Sequence, residues 1–296
     1  MHADDVILLS ETPTGLQNSL SHLQKYCTKW GLEVNTKKTK SLIFNNTGKL
    51  DTNVFTFNNN NIENVRYYSY LGVNFSMTGS FTKAKNVLYK KGLKAFFKIR
   101  KCFEHHKPKI KTILHVPVFD HTVKPVLLYG SEVWGIFAVD KLQKQKDLYL
   151  NKLCTEKIHI KLCQYLLEVG RQSTNSAVLG ELGRFPPILE AFLNVVKYWA
   201  YLSNLSNKDS LAAEAYLTSK NVYEQNKNSW YKCVSEIFDY FGINRITALN
   251  LKGCLKKYVN KHLHLKYKEL WKNNLFNDNK KSNCSNKLKN NFTFEP

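Results

Sequence analysis

The sequence is poor in acid, has no paired cysteines and contains no long apolar run. Only 23 residues are Asp or Glu, against 44 Lys and Arg, which leaves a formal net charge of +21 over 296 residues. A folded chain so unbalanced repels itself unless a polyanion neutralises it, so nucleic acid or an anionic surface is the natural partner. The seven cysteines, Cys27, Cys102, Cys154, Cys163, Cys233, Cys254 and Cys284, include no Cys-x-x-Cys pair. That spacing signals neither a zinc ribbon nor a disulfide framework, and it fits a reducing compartment. The longest apolar stretch, AFLNVVKYWAYL at 191–202, is too short to cross a bilayer and carries Lys197. The start is acidic where a secretory leader is basic. The expectation is a soluble intracellular protein with no membrane partner, its compartment (nucleus or cytoplasm) left open. A hydrophobic content of 43% is that of a globular chain, enough for one large or two smaller cores.

Thr12-Pro13 reads as a helix start, with Thr12 capping and Pro13 in the first helical position. Leu16, Leu20, Leu23, Cys27 and Trp30 then recur at helical spacing, and Gly31 supplies the stop. Short β-prone runs follow: LEV (32–34), SLIF (41–44), VFTF (54–57) and LGVNF (71–75), with NNNN (58–61) as a turn. With Val6–Leu9 as a buried strand, this predicts an α+β unit whose helix lies on one face of a sheet. From Lys83 to Lys111 there are eleven basic residues and one acid, Glu104. Ala84, Leu88, Gly92, Ala95, Phe96 and Ile99 make the apolar stripe of an amphipathic helix whose other faces carry lysine. FDHTVKPVLLYGSEVWG (119–135) reads as a helix kinked or started near Pro125 and closed by Gly135. Helices are expected over 141–154, 156–169, 187–204 and 228–241, with a break at GRFPP (183–187). The last polar stretch, from Asn273 on, reads as largely unfolded.

Asp4 and Asp5 are adjacent carboxylates feeding the Val6–Leu9 run. Two carboxylates on a turn can hold Mg²⁺, since a hard cation wants oxygen ligands and substrate phosphates and water supply the rest. Acidic pairs in turns are also common and often do nothing but face water. The order of surrounding blocks separates these readings. HADDVILLS, a helix, WGLEVNTKKTKSLIF and then YSYLGVNFS resemble the end of a reverse transcriptase palm of the non-LTR retrotransposon (LINE-type) family. VKPVLLYGSEVWG resembles a thumb segment of that family, and AVLGELGRFPP a stretch found further downstream.

The resemblance implies a partial palm over 1–79, a thumb-like helical region over 80–139, a helical C-terminal region over 140–250 and a basic tail over 251–296. It implies RNA-directed DNA synthesis with Mg²⁺, dNTP, an RNA template and a DNA primer. Asp4 and Asp5 match the metal-binding aspartates, and Lys38 the nucleotide-side lysine, with Asn35 shaping its turn and Lys37 and Lys40 beside it. Tyr70, Leu71 and Gly72 match the primer grip. His2 departs from the family, which has Tyr or Phe there. The family's remaining catalytic aspartate and its fingers lie upstream of these blocks. The chain is therefore expected to be a truncated reading frame, inactive alone, and to stop short of the family's small cysteine-bearing segment. Cys254, His262, His264 and Cys284 are too irregularly spaced for a zinc site.

A second reading, without catalysis, is a basic nucleic-acid-binding module or a decayed element product. Lys90, Lys91, Lys94, Lys98, Arg100 and Lys101 would contact phosphates of an RNA–DNA duplex, with Tyr89, Phe96 and Phe97 among them; Phe96 is expected in the core. A small hydrolase built on Asp4 and Asp5 would need a base, and His2 is the only near candidate.

Overall fold

The computed structural model describes residues 4–102, 108–138, 154–205, 209–251 and 253–279. His2, Cys284 and nearly all of the helix expected over 141–154 lie outside them. The chain divides into two compact units, residues 1–87 and 88–296. The first is mixed α/β with small sheets, and the second is helical in every described element.

In the first unit, α1 (Pro13–Trp30) begins and ends where its sequence signals stand. The Thr12 side chain accepts the Gly15 N–H, Pro13 opens the helix, and Gly31 takes a left-handed φ of 63° to end it. Strands β1 (Lys40–Ser41), β2 (Phe55–Phe57) and β3 (Asn60–Asn64) form a sheet in the order β1-β3-β2, with β1 parallel to β3 and β2 antiparallel to it. The inward residues Phe55, Phe57 and Ile62 pack with Leu20 and Cys27 of α1, and Leu8, Leu16, Leu23, Val34 and Ile43 close around them. The helix thus lies on one face of the sheet, as expected. The Gln17 amide reinforces this: it donates to the Thr56 carbonyl at 3.0 Å and accepts the Thr56 N–H at 3.0 Å. A separate hairpin, β4 (Tyr67–Tyr70) and β5 (Val73–Ser76), pairs antiparallel.

Several local expectations change. Val6–Leu9 is not a strand. Val6, Ile7 and Leu9 are 44%, 45% and 70% exposed, and only Leu8 reaches the core. An apolar run becomes a buried strand only where a ladder partner and a covering layer exist, and among the described residues neither is there. Trp30 leaves the apolar stripe and is exposed, with the Lys29 ammonium 5.6 Å from its ring. LEV stays irregular, and LGVNF splits, its Leu71-Gly72 forming the turn and its remainder β5. The polar β3 escaped notice because Ile62 is its one buried side chain.

In the second unit, α2 (Thr82–Cys102), which begins in the first, turns Leu88, Gly92 and Phe96 inward. Phe96 and Gly92 meet a core of Phe119, Val123, Leu127, Ile158, Leu162 and Leu166. A Cβ on Gly92 would stand 2.5 Å from Leu127 Cδ2, so glycine is what allows this approach. Helix α3 (Pro108–Val118) runs into a π turn at Phe119–Val123 and then α4 (Lys124–Leu127). Pro125 has no N–H to give, and the ladder widens so that the Lys124 N–H bonds Phe119 O. The break beyond is Gly130, at φ 71°, not Gly135. Gly135 continues from α5 (Ser131–Trp134) into a 3₁₀ turn, where a Cβ would lie 3.3 Å from Ala191 O. Next come α6 (Cys154–Leu166), α7 (Asn175–Glu181), the almost wholly buried α8 (Pro187–Ser203), α9 (Leu211–Glu224), α10 (Trp230–Phe241), α11 (Arg245–Asn250) and α12 (Leu255–Asn279). Helix α12 carries the backbone through Asn279, into the segment expected to be unfolded. Among the described residues no helix is long and apolar enough to cross a membrane.

Candidate functional site

Asp4 and Asp5 are both exposed, at the entry to the unpaired apolar segment. Among the described residues neither carboxylate has a hydrogen-bond or ion-pair partner, and no cluster of three or more His, Cys, Asp or Glu that could hold a metal ion forms around them. Two free hard-oxygen ligands suit the share of a Mg²⁺ shell that protein usually provides, the remainder coming from substrate phosphate and water. When bound, the ion would polarise phosphoryl oxygens and lower the pKa of an attacking hydroxyl.

Lys38 sits in a turn at 36–38 whose shape Asn35 dictates. The Asn35 side chain accepts the Lys38 N–H at 3.1 Å, and its carbonyl accepts the Thr39 hydroxyl at 3.0 Å. The Lys38 side chain is exposed, whereas Lys40 is neutralised by Glu63 at 2.6 Å. Of these two lysines, Lys38 is the one left available to an anion. The Tyr68 hydroxyl donates to Lys38 O at 3.4 Å, so the lysine turn and the β4–β5 hairpin are joined.

Tyr70, Leu71 and Gly72 form the tip of that hairpin. The register pairs Tyr70 with Val73, leaving Leu71-Gly72 as a two-residue loop with φ of 46° and 81°. Positive φ at both positions is a type I′ turn, which favours Asn, Asp or Gly. The β2–β3 hairpin makes the same turn with Asn58 and Asn59, at φ 49° and 60°. Leucine in the first position is therefore strained and 41% exposed. Strain of this kind persists only where the surrounding structure over-determines it, and it clusters at functional sites. At the base of the hairpin the Lys83 ammonium lies 3.5 Å from the Tyr67 ring centroid.

Lys90, Lys91, Lys94, Lys98, Arg100 and Lys101 are all exposed on α2. Five of them, Arg100 apart, share roughly a 100° arc at 3.6 residues per turn. Phe97 stands with them, 48% exposed, while Phe96 is buried in the core. Arg100 turns aside and lies 4.9 Å from the Tyr165 ring.

A polar centre in the second unit escaped the sequence reading, although Asp120, Lys124 and Arg184 sit in the two segments FDHTVKPVLLYGSEVWG and AVLGELGRFPP. Arg184 donates two parallel hydrogen bonds to Asp120, at 2.7 and 2.6 Å. Lys124 lies 3.5 Å from Asp120 and 2.9 Å from Glu190. Arg184 Nε also donates to His159 Nε2 at 3.3 Å, and His159 Nδ1 is 4.0 Å from Glu156. Glu156 in turn accepts the Ile188 N–H at 2.9 Å, capping α8 from a distance. Burial pushes Asp120 up, but the Arg184 bonds and charge, with Lys124 and His159, more than offset it and hold the carboxyl below its usual range. Burial also drives Glu156 up to about 8 and His159 down to about 3. The available signals were the i,i+4 pair Asp120/Lys124 and the i,i+3 pair Glu156/His159, each set among apolar neighbours. The candidate zinc residues find other uses: His262 packs on Tyr258 at 4.7 Å, and His264 stacks on Phe185 at 3.8 Å.

Residues 1–75 match the reverse transcriptase (RNA-dependent DNA polymerase) family. A reverse transcriptase-related region opens the chain. It contains Asp4, Asp5, Lys38 and the Tyr70–Gly72 tip. The chain is also 28% identical over 136 residues to an uncharacterized transposon-derived protein of Caenorhabditis elegans, a stretch that covers 45% of this chain and 47% of that protein. The match thus spans about half the length of the relative. No solved structure matches the chain. Together these findings give a reverse transcriptase-related region at residues 1–75 and a likeness to one transposon-derived protein.

Proposed function

We propose that this chain is the C-terminal part of a LINE-type reverse transcriptase, carrying part of the palm, the thumb and a helical basic region. In that enzyme Asp4 and Asp5 supply two Mg²⁺ ligands, and Lys38 balances charge on the departing pyrophosphate of the dNTP. Tyr70, Leu71 and Gly72 steady the DNA primer. Lys90, Lys91, Lys94, Lys98, Arg100 and Lys101 track the backbone of the RNA template and DNA primer duplex. The observation that carries this reading is the family match over 1–75, which spans all three palm blocks in order. The exposure of Asp4, Asp5 and Lys38, with no competing ion pair, supports it. By themselves these residues do not polymerise, because no third carboxylate joins Asp4 and Asp5 among the described residues, and two ions cannot be held in register by two loose ligands.

Fluorescence anisotropy with a labelled RNA–DNA hybrid tests the binding half of this reading. Affinity should fall steeply with salt, and Lys→Glu changes at 90, 94 and 98 should weaken it further. Salt-independent affinity, or no change in the triple variant, would rule it out. A primer-extension assay tests the other half: template-dependent extension by the purified chain, abolished in Asp4→Asn, would overturn the claim of inactivity. Duplex binding that stays intact in Asp4→Asn and Asp5→Asn, with no extension in any variant, is the result expected. It also matches the reading of a purely binding protein, which the exposed α2 face favours; Asp4→Asn in a polypeptide that supplies a third carboxylate separates the two.

A further inference from the structure

Helix α12 carries a second basic face that the palm and thumb blocks do not involve. Lys257, Lys261, Lys268 and Lys272 fall within about 60° of one another around the helix and about 22 Å along it, at 1.5 Å per residue. Lys257, Lys261 and Lys272 are exposed and Lys268 is half-buried. The opposite stripe, Val259, Leu263, Tyr267 and Trp271, is buried, and the Trp271 indole donates to Ser176 O of α7 at 2.7 Å. Packing therefore fixes which way the lysines point. Glu269, the one carboxylate among the described side chains of α12, lies off the row and is engaged by Lys266 at 3.1 Å.

What the row lacks decides its ligand. Single strands are held by open aromatic rings on which bases stack, in addition to charge. Every described ring on α12 is already engaged. His264, midway along the row, is stacked on Phe185 with the planes 7° apart. Burial, then Lys268, keeps its pKa below the usual value, so it adds no charge. Tyr258 packs edge-on against His262 and accepts the Asn244 N–H through its hydroxyl at 3.1 Å, and Tyr267 and Trp271 are in the core. This is the opposite of α2, where Phe97 stands open among the lysines. A straight row of lysines with no open ring among its described side chains fits a regular backbone of phosphates and nothing about base identity.

We propose that Lys257, Lys261, Lys268 and Lys272 form a separate site for the phosphate backbone of double-stranded nucleic acid. It rests on the nucleic-acid reading above but not on α2. The test is anisotropy with a labelled RNA–DNA hybrid and, in parallel, an unstructured single-stranded RNA, between about 50 and about 200 mM salt. Replacing all four lysines by Gln should weaken hybrid binding about tenfold or more and lower the salt slope by about 3 to 4, while single-strand binding changes little. Replacing them by Arg should preserve both, which separates lost charge from lost folding. Unchanged hybrid affinity and slope in the Gln set, with binding still lost in the α2 triple variant, overturns this site alone. Insensitivity of both sets overturns the nucleic-acid reading as well. Loss of single-strand and hybrid binding in equal measure overturns the assignment to duplex.

Discussion

The two units treat charge in opposite ways. In residues 1–87, Asp4, Asp5 and Lys38 stand exposed and, among the described residues, without ion-pair partners, and the strained Leu71 is presented on a turn. In residues 88–296, Asp120, Arg184, Lys124 and His159 are drawn inward and bonded in a chain, and the buried Glu156 beside them caps α8 through the Ile188 N–H. The first arrangement leaves groups open to a ligand at little benefit to the fold. The second has its charges already matched within the protein, and it ties the π turn, α6, the 182–186 segment and the start of α8 together. Residues left open to a ligand and residues of the same types that hold the fold are told apart by burial and by partners, not by identity.

The comparison is broken hardest at Arg184. Arg184→Ala strips Asp120 of its two strongest bonds in a half-buried site, and a loss of about 3 kcal/mol is expected. Urea unfolding of the second unit measures it; the double change with Asp120→Asn should recover part of the loss, because no unpaired charge then remains. Next is Gly92→Ala, where the added methyl meets Leu127 and Ile158, at a cost of about 1–3 kcal/mol with exposed lysines untouched. An unchanged midpoint would mean that α2 can slide away from α4.

The buried pair also sets a pH profile. Glu156 rises from 4.5 to about 8, so across that window the folded chain holds a proton the unfolded chain has released, and stability falls as pH rises. His159 drops from 6.5 to about 3, so across that window the unfolded chain takes up the proton, and stability falls as pH falls. The slopes oppose one another between 4.5 and 6.5. The urea midpoint should therefore be flat there, decline above 6.5 and decline below 4.5, where Asp120 adds to the acid loss. Glu156→Gln should erase the alkaline decline and, with the opposing slope gone, let the acid decline begin near 6.5 instead of 4.5. The smallest effect belongs to the first unit: Leu71→Asn relieves the type I′ turn and should stabilise that unit by about 1 kcal/mol. If leucine is kept there to grip a primer, the same change lowers hybrid affinity while raising stability, a combination that a structural role alone would not produce.

Local signals were legible wherever short-range physics decides. Thr12, Pro13 and Gly31 bounded α1 because capping needs only neighbouring backbone, and the Ala84–Leu88–Gly92–Phe96 stripe marked the buried side of α2 by period alone. The reverse transcriptase-related region was legible from the order of its blocks, which lie within the matched residues 1–75 almost to the last residue. Val6–Leu9 misled because a strand is defined by its partner, and β3 hid because a strand of five residues with one buried side chain has no period to read. Gly135 misled because its lack of a side chain serves a close approach to α8, a fact that belongs to another part of the chain.

By itself, then, the sequence determined the net charge of +21, the helix boundaries set by caps, and the candidate acidic pair. Only the tertiary structure decided that Asp120 and Arg184, 64 positions apart, share two hydrogen bonds, that Glu156 caps a helix 32 positions away, and that one row of lysines keeps an open ring while another has none. The reason is common to all three. Propensity and capping act over a few residues, whereas desolvation and charge pairing are settled by whichever groups the packing of distant segments brings within about 3 Å.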